Sequence, residues 1–540
     1  MARGSLAPAG IETTMPKAVA APPPPGTLAE RYWRETLFDL AGVSGDTPRT
    51  GPAGYPAPVT LYPGRALAAL PTPGPLGTLA DAFANAPQAG VGTPLPRPSL
   101  STLLFYTYGY GHALLDAGSP HGALSPHRVP ASARRMYPTE LYVWVPPEPG
   151  VAGAGPGLHY YDPVHHGLVT VRPDACPPDL ERALGASLAG AACVLVITSR
   201  FWKAAYRYAD YAYRLCTQEA GLLAGHALLA AAALGLRGHV RYCFDDEAVS
   251  ELLAADPQEE SPMAVLPLWP AAQVPPPGAN VTAPGAGVAR PARRSTGEAG
   301  PGPGSEPFLA LDAAARQCPA GVLPPAARAA GVPVEVPADV ALPERSLADV
   351  LLRRSSGPVS HFAPVAADMP AEAFWLLCRY GPDQPMCDVV EPGGRPVAVM
   401  AAVNRVAGVD QGVYHLRPGA SIFRITHGSV AAALTAAALN PATMNFRSTP
   451  LVVSVVADPA AGSRALGERG YRVMNIAAGV TAARVCVLAA ASGLAARIHN
   501  TYRATAVAEL LGFSGHPGPV PLFQIAVGRV GVRPALTVGL

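Results

Sequence analysis

Two kinds of apolar run recur along the chain, in an order that repeats. "LYVWV" (141–145), "AACVLVITS" (191–199), "VAVMAAV" (397–403) and "TPLVVSVVA" (449–457) are short and rich in β-branched or aromatic residues, which predicts buried strands. The stretches 219–236 and 474–493 are longer and Ala-rich, and carry Glu219, His226 or Arg484 within them. They predict core helices of a soluble protein rather than membrane spans. After each, a "GL" leads into a shorter helix, "DDEAVSELL" (245–253) or "RATAVAELL" (503–511), with Asp245 placed to cap the first. "QIAVGRV" (524–530) predicts a closing strand.

The repetition keeps a register. "YRLCTQEAGLLAGHALLAAAALGL" begins at Tyr213 and "YRVMNIAAGVTAARVCVLAAASGL" at Tyr471. At that spacing Gly221 meets Gly479, Gly235-Leu236 meets Gly493-Leu494, and Glu251-Leu252-Leu253 meets Glu509-Leu510-Leu511. Upstream, "GLHYYDP" (157–163) resembles "GVYHLRP" (412–418) at a slightly shorter spacing, so a small insertion or deletion separates the registers. A shared helix composition can mimic one such match but not the whole series. The chain therefore reads as a tandem duplication of a mixed unit in which helices pack on a sheet. Because a two-fold interface is self-complementary, the halves are expected to form an intramolecular pseudo-dimer.

Between the halves lies "VPPPGANVTAPGAGVARPARRSTGEAGPGPGSEP" (274–307), too poor in large apolar residues to form a core. The expected division is a Pro/Ala-rich tail (1–27), a first domain (28–272), a linker (273–307) and a second domain (308–540). The start lacks the continuous apolar core of a signal peptide. Net charge is +2, which gives no global basic field for nucleic acid. Eight cysteines are scattered without C-x-x-C or zinc spacing, which fits a reducing cytoplasm and no metal centre. Histidines concentrate between His121 and His166, but in loops and a hairpin rather than in ligand spacing.

Four stretches of the first half carry a family resemblance: "RPSLSTLLFYTYGYG" (97–111), "PASARRMYPTELYV" (130–143), "GLHYYDPVHHGL" (157–168) and "RYADYAYRLCTQEAGLLAGHALLAAAALGL" (207–236). Together they resemble the SagB-type azoline dehydrogenases, FMN enzymes of the nitroreductase superfamily. The second half resembles them more weakly, through "LLRRSSG" (351–357), the helix from Tyr471 and "FQIAVGRV" (523–530). The resemblance implies an α+β nitroreductase-like fold, a mixed or antiparallel sheet flanked by helices. It also implies FMN between the halves and oxidation of thiazoline or oxazoline rings to thiazole or oxazole in a ribosomally made peptide. The partners would be a precursor peptide bearing azolines and a cyclodehydratase, with oxygen as acceptor and no nucleic acid or membrane.

Carried onto this chain, the resemblance gives the serine loop Ser132, Ala133 and Arg134 as the flavin platform, Arg353, Arg354 and Ser355 as phosphate ligands, and Arg529 as a further contact. Guanidinium forks and short donors are what a phosphate requires. The first half has the loop but no R-R-S motif upstream of residue 97; the second has the motif but only "VVEPGGRPVAVM" (389–400) where the loop would be. One complete FMN site per chain is therefore expected, in a monomeric pseudo-dimer or a homodimer of it.

Two departures stand out. The family's Lys-Tyr dyad aligns with Arg207-Tyr208, and an arginine cannot act as a base. Proton removal would fall to Tyr208 with Arg207 stabilising its phenolate, or to Lys203; the bland alternative is a basic, aromatic helix start packed on the sheet. Arg134 stands where the family has glycine, which either tightens the loop on the flavin or blocks it. A general flavin nitroreductase and a non-catalytic, peptide-binding scaffold remain as rival readings.

Overall fold

The computed structural model describes residues 27–38, 56–83, 97–116, 124–147, 155–271, 306–357, 368–440, 444–513, 518–530 and 535–539. The expected tail (1–27, but for Thr27) and most of the expected linker (273–305) lie outside these residues, as does His121.

Seventeen strands are described. The first half contributes β1 (Leu67–Ala69), β2 (Tyr110–Asp116), β3 (Leu124–Arg128), β4 (Thr139–Val145), β5 (Gly157–Asp162), β6 (Gly167–Arg172), β7 (Cys193–Arg200), β8 (Leu236–Gly238) and β9 (Glu260–Pro270). The second contributes β10 (Val332–Val334), β11 (Ala398–Val403), β12 (Gly412–Arg417), β13 (Ser421–His427), β14 (Leu451–Ala457), β15 (Ala495–His499), β16 (Val520–Gly528) and β17 (Ala535–Gly539). They build two seven-stranded sheets of the same topology, β1-β6-β5-β4-β7-β9-β8 and β10-β13-β12-β11-β14-β16-β15, with antiparallel pairing throughout. The α+β duplication read from the sequence is thus the architecture of the molecule. All four strands expected from the apolar runs form. Asp245 caps the helix Asp246–Leu253 by accepting the Ala248 amide at 3.0 Å.

Six helices bear on the contact between the halves and on the site beside it: α1 (Leu79–Phe83), α2 (Arg97–Tyr108), α3 (Phe201–Tyr208), α4 (Ala212–Ala233), α5 (Leu347–Arg353) and α6 (Arg469–Ala491). Helices α4 and α6 are the two Ala-rich segments, buried on nearly every side. Among the described residues α6 alone is long and apolar enough to cross a membrane, and 94% of its most apolar window is buried inside the fold.

The halves meet about an axis through α4 and α6. Tyr213 and Tyr471, equivalent in the repeat, stack with ring centroids 5.9 Å apart. Gly221 and Gly479, also equivalent, lie against each other. A Cβ on Gly221 would come 2.0 Å from the Ile476 carbonyl oxygen, and one on Gly479 2.3 Å from that of Gln218. Contact between equivalent residues is the mark of a two-fold axis. Reciprocal bonds repeat it: Arg214 donates to Leu522 O at 2.9 Å and Arg472 to Pro262 O at 3.2 Å.

Helices α1 and α5 extend the symmetry to a region the repeat register does not reach. Leu79 N donates to Arg345 O at 3.2 Å, and Leu347 N donates to Gly77 O at 2.9 Å. "TLADAF" (78–83) and "SLADVL" (346–351) are therefore counterparts. A last feature crosses the halves: β17, from the C-terminus, pairs with β2 and forms a separate β17-β2-β3 sheet on the first half.

Candidate functional site at the junction of the halves

The segment between β3 and β4 is held in an uncommon conformation. Arg134, Arg135 and Tyr137 have φ of 49°, 61° and 45°, left-handed values that glycine adopts freely and L-residues do not. Each such residue costs on the order of 1 kcal/mol or more, so the surroundings must impose the shape. The contacts that impose it are visible. The Ser132 hydroxyl accepts the Tyr137 amide at 2.8 Å and donates to Glu219 of α4. Glu219 Oε1 also accepts the Ala133 amide at 2.8 Å. Beneath the loop, the fully buried Arg128 lies 4.3 Å from the Tyr108 ring centroid and 4.9 Å from that of Tyr137. Burial pushes the Glu219 carboxyl up to about 8, in spite of the Ala133 amide, the Ser132 hydroxyl and the nearby Arg128.

Tyr208 ends α3 beside this loop. Burial raises its phenol above the usual value; the Arg134 guanidinium, which donates to its oxygen, opposes the shift, and Arg207 adds a weaker cationic pull. The position that resembles a glycine in the family is thus left-handed, and its side chain reaches the candidate catalytic tyrosine. Tyr208 is partly buried, while Arg134 and Arg135 are exposed.

Lys203 is placed differently. It is 1% exposed, and its Nζ lies 2.5 Å from Glu140 Oε1 and 3.0 Å from Pro58 O. Glu140 also accepts Tyr160 OH at 2.9 Å. Burial alone would raise the Glu140 carboxyl, but Lys203, Arg200 and Arg128 outweigh it and hold it below the usual range. Burial likewise lowers the Lys203 ammonium. The lysine is the buried partner of this carboxylate, and its ammonium is turned to Glu140, the Pro58 carbonyl and the Tyr137 carbonyl.

The second half supplies the R-R-S segment at the end of α5. Arg354 is buried, and its Nε donates to Val129 O at 3.0 Å, three residues before Ser132. Its Nη1 is buried with no hydrogen-bond partner. His226 of α4 is 1% exposed with Nδ1 also lacking a partner, and it feels the Arg354 charge. Gly111 of β2 lets the two halves close here, since a Cβ on it would lie 2.7 Å from Leu352 Cδ2. Arg353, by contrast, is 73% exposed and paired with Asp349 at 2.5 Å. Ser355 shapes the turn: its hydroxyl accepts the Gly357 amide at 3.1 Å and its carbonyl the Ala496 amide at 3.0 Å. Arg529 is exposed, next to Val530, which packs at Gly357.

The structure therefore brings Ser132, Ala133, Arg134, Arg207, Tyr208, Arg354 and Ser355 to one junction, and sets Lys203 in the Glu140 cluster. Two residues of the junction were not singled out from the sequence, Glu219 and His226. Their signal was present: they are the two charged or ionisable side chains in the otherwise apolar stretch 219–236 that forms most of α4.

The donors suit a phosphate-bearing flavin. A buried guanidinium nitrogen with no acceptor, on a turn that joins the two halves, is a place for an anion. The nitroreductase family profile matches residues 112–268. A candidate nitroreductase of Methanocaldococcus jannaschii is 28% identical over 190 residues, 34% of this chain and 92% of that protein. Among solved structures, a candidate nitroreductase from Anabaena variabilis is similar over 94% of this chain and 100% of its own, with a TM-score of 0.68 at 21% identity. The Escherichia coli microcin synthetase McbBCD complex with truncated pro-MccB17 matches 39% of this chain and 77% of its own, at 21% identity and a TM-score of 0.28. Residues 112–268 thus match the nitroreductase family model, within a chain whose overall fold is similar to that of the Anabaena protein.

Proposed function

We propose that the chain is an FMN-dependent dehydrogenase that oxidises azoline rings of a ribosomally made peptide, with one flavin site per chain at the junction of the halves. The observation that carries this reading is the orphaned, buried Nη1 of Arg354 beneath the strained loop that Glu219 holds. Arg354 and the Ser355 turn would hold the phosphate, and the segment Ser132–Arg135 would face the ring. Bound FMN supplies a two-electron acceptor.

The chain's own residues have a narrower task. The azoline ring must give up a proton as well as a hydride, and Tyr208, partly exposed beside Arg134 of the loop, is the proton-handling group placed to meet it. Its raised pKa keeps the phenol protonated at neutral pH, so proton removal through it is favoured as pH rises. Arg134 orients the phenol and would stabilise its anion. Glu219 fixes the loop rather than meeting the substrate. Assembly with a cyclodehydratase is part of this proposal.

The test is mass spectrometry of an azoline-bearing peptide incubated with the flavin-loaded protein in air. Loss of two hydrogens per ring is expected, and no mass change with flavin bound would overturn the reading. The family match of residues 112–268 favours a second reading, reduction of nitro compounds or quinones. NAD(P)H consumption by the same preparation, with the azoline peptide untouched, would establish that one instead.

A further inference from the structure

The flavin proposal uses the loop's backbone, Tyr208 and the nearby Arg134, but leaves Arg135 and the loop's excess of positive charge unexplained. Arg134 and Arg135 occupy consecutive left-handed positions, where glycine would sit without strain. Both are exposed, and Arg207 beside them is half-buried. No carboxylate among the described residues pairs with any of the three; Glu219 turns inward to the Ala133 amide. Arg134 also lies beside the Tyr208 phenol, whose ionised form its guanidinium favours. In a chain with only 14% charged residues, two guanidiniums acting on one phenol, with a third at the next residue of the loop, are a local concentration of positive charge.

We infer that the mouth of the junction site recognises the carboxylates of an acidic peptide segment, with Arg134 and Arg135 as the specificity-determining pair. A guanidinium fork matches a carboxylate in two parallel hydrogen bonds. The strained backbone of residues 134–135 keeps both forks at the rim rather than folded onto the sheet. Arg207 adds attraction without a fixed geometry. That the ligand is a peptide rests on the proposed function; that it is anionic rests on the three guanidiniums alone.

The experiment is a binding titration of labelled penta-glutamate and penta-glutamine against the flavin-loaded full-length protein, at low and at high salt. Penta-glutamate is expected to bind about tenfold more tightly at low salt, the equivalent of one or two charge-assisted contacts, and the advantage should shrink at high salt. In the R134G/R135G variant the advantage should vanish. Glycine suits both left-handed positions, so this variant should fold, which a thermal melt checks. Arg447→Ala, which removes an exposed charge elsewhere in the second half, should keep the advantage. Equal affinities in the parent protein, or a preference that survives R134G/R135G, would overturn the inference. Displacement of penta-glutamate by free glutarate at matched carboxylate concentration would overturn the peptide assignment. The titration needs no turnover, so a protein that prefers the acidic peptide but leaves azolines unchanged separates this inference from the function proposed above.

Discussion

The two-fold axis creates two equivalent junctions, and their differences show which is equipped for a ligand. At the first, Glu219 ties down the loop; the equivalent residue of α6 is Ala477. At the first, Arg354 presents an unpaired buried nitrogen; the residue at the matching sequence spacing, Ala86, lies outside the described residues and carries no guanidinium. His226 becomes Arg484, whose guanidinium lies 4.6 Å from the ring centroid of Phe83, the counterpart of Leu351. Arg484 also donates to Tyr380 O and sits in the field of Asp383. Burial lowers it to about 10, and its charge finds partners within the second junction. One junction keeps buried polar groups without partners, which is costly unless a ligand meets them. The other leaves only Arg484 Nε without a partner, while the rest of that guanidinium has the Tyr380 carbonyl, the Asp383 carboxylate nearby and the Phe83 ring. The lesson is that the same fold holds an open site and a filled one, and the difference lies in a few side chains.

This contrast can be broken in four places, from the largest effect to the smallest. The axis itself rests on Gly221, so Gly221→Leu should cost about 3 kcal/mol in chemical denaturation, because the backbones of α4 and α6 have no room for a side chain. A variant as stable as the parent would mean that the helices do not cross there. The asymmetry of the junctions rests on Arg354. Arg354→Met should raise the FMN dissociation constant by about a hundredfold, the loss of a buried charge-assisted donor, while the exposed Arg353→Met should change it only a few-fold. Flavin titration reads both, and two FMN per chain in the parent would end the asymmetry. Tyr208→Phe should lower azoline turnover by about tenfold to a hundredfold while flavin content holds; unchanged turnover would remove Tyr208 from the chemistry.

Glu219→Gln tests the loop's anchor through pH. The Glu219 carboxyl titrates near 8 in the folded protein against a reference of 4.5, so the folded state binds the proton more tightly. The associated stability is complete below about pH 4.5 and is lost as pH rises through about 8. Relative to the glutamine variant, the parent should lose up to about 1.4 kcal/mol per pH unit within that window. Parallel stability curves for the two proteins would show that Glu219 is not buried in its protonated form.

Much of this arrangement could be read from the chain, because it is written locally. The strands, the Ala-rich helices and the Asp245 cap follow from short-range pattern, and the repeat register already paired Tyr213 with Tyr471 and Gly221 with Gly479, residues that prove to touch. The placement of the serine loop in one half and the R-R-S motif in the other came instead from the family resemblance. What escaped depends on long-range geometry. The counterparts "TLADAF" and "SLADVL" keep a different spacing from the central helices, so only the paired amides at Leu79 and Leu347 reveal them. Arg353 and Arg354 are neighbours of the same type, and only the end of α5 decides that one faces solvent and the other the junction. Lys203 finds Glu140, which is distant in sequence and adjacent only once β4 and α3 are packed. The pairing of β17 with β2 joins the C-terminus to the first half and has no local signal at all.

The duplication within one chain has a consequence for how such a protein can change. In a homodimer every substitution is imposed on both junctions at once, so a residue that fills one site fills its twin. Here the positions of His226 and Arg484, or of Leu351 and Phe83, are separate letters of one gene, although they are equivalent in space. One junction could be sealed by Arg484 and Phe83 while the other kept its open guanidinium. The strand β17, laid across onto β2, keeps the two copies from parting while they diverge.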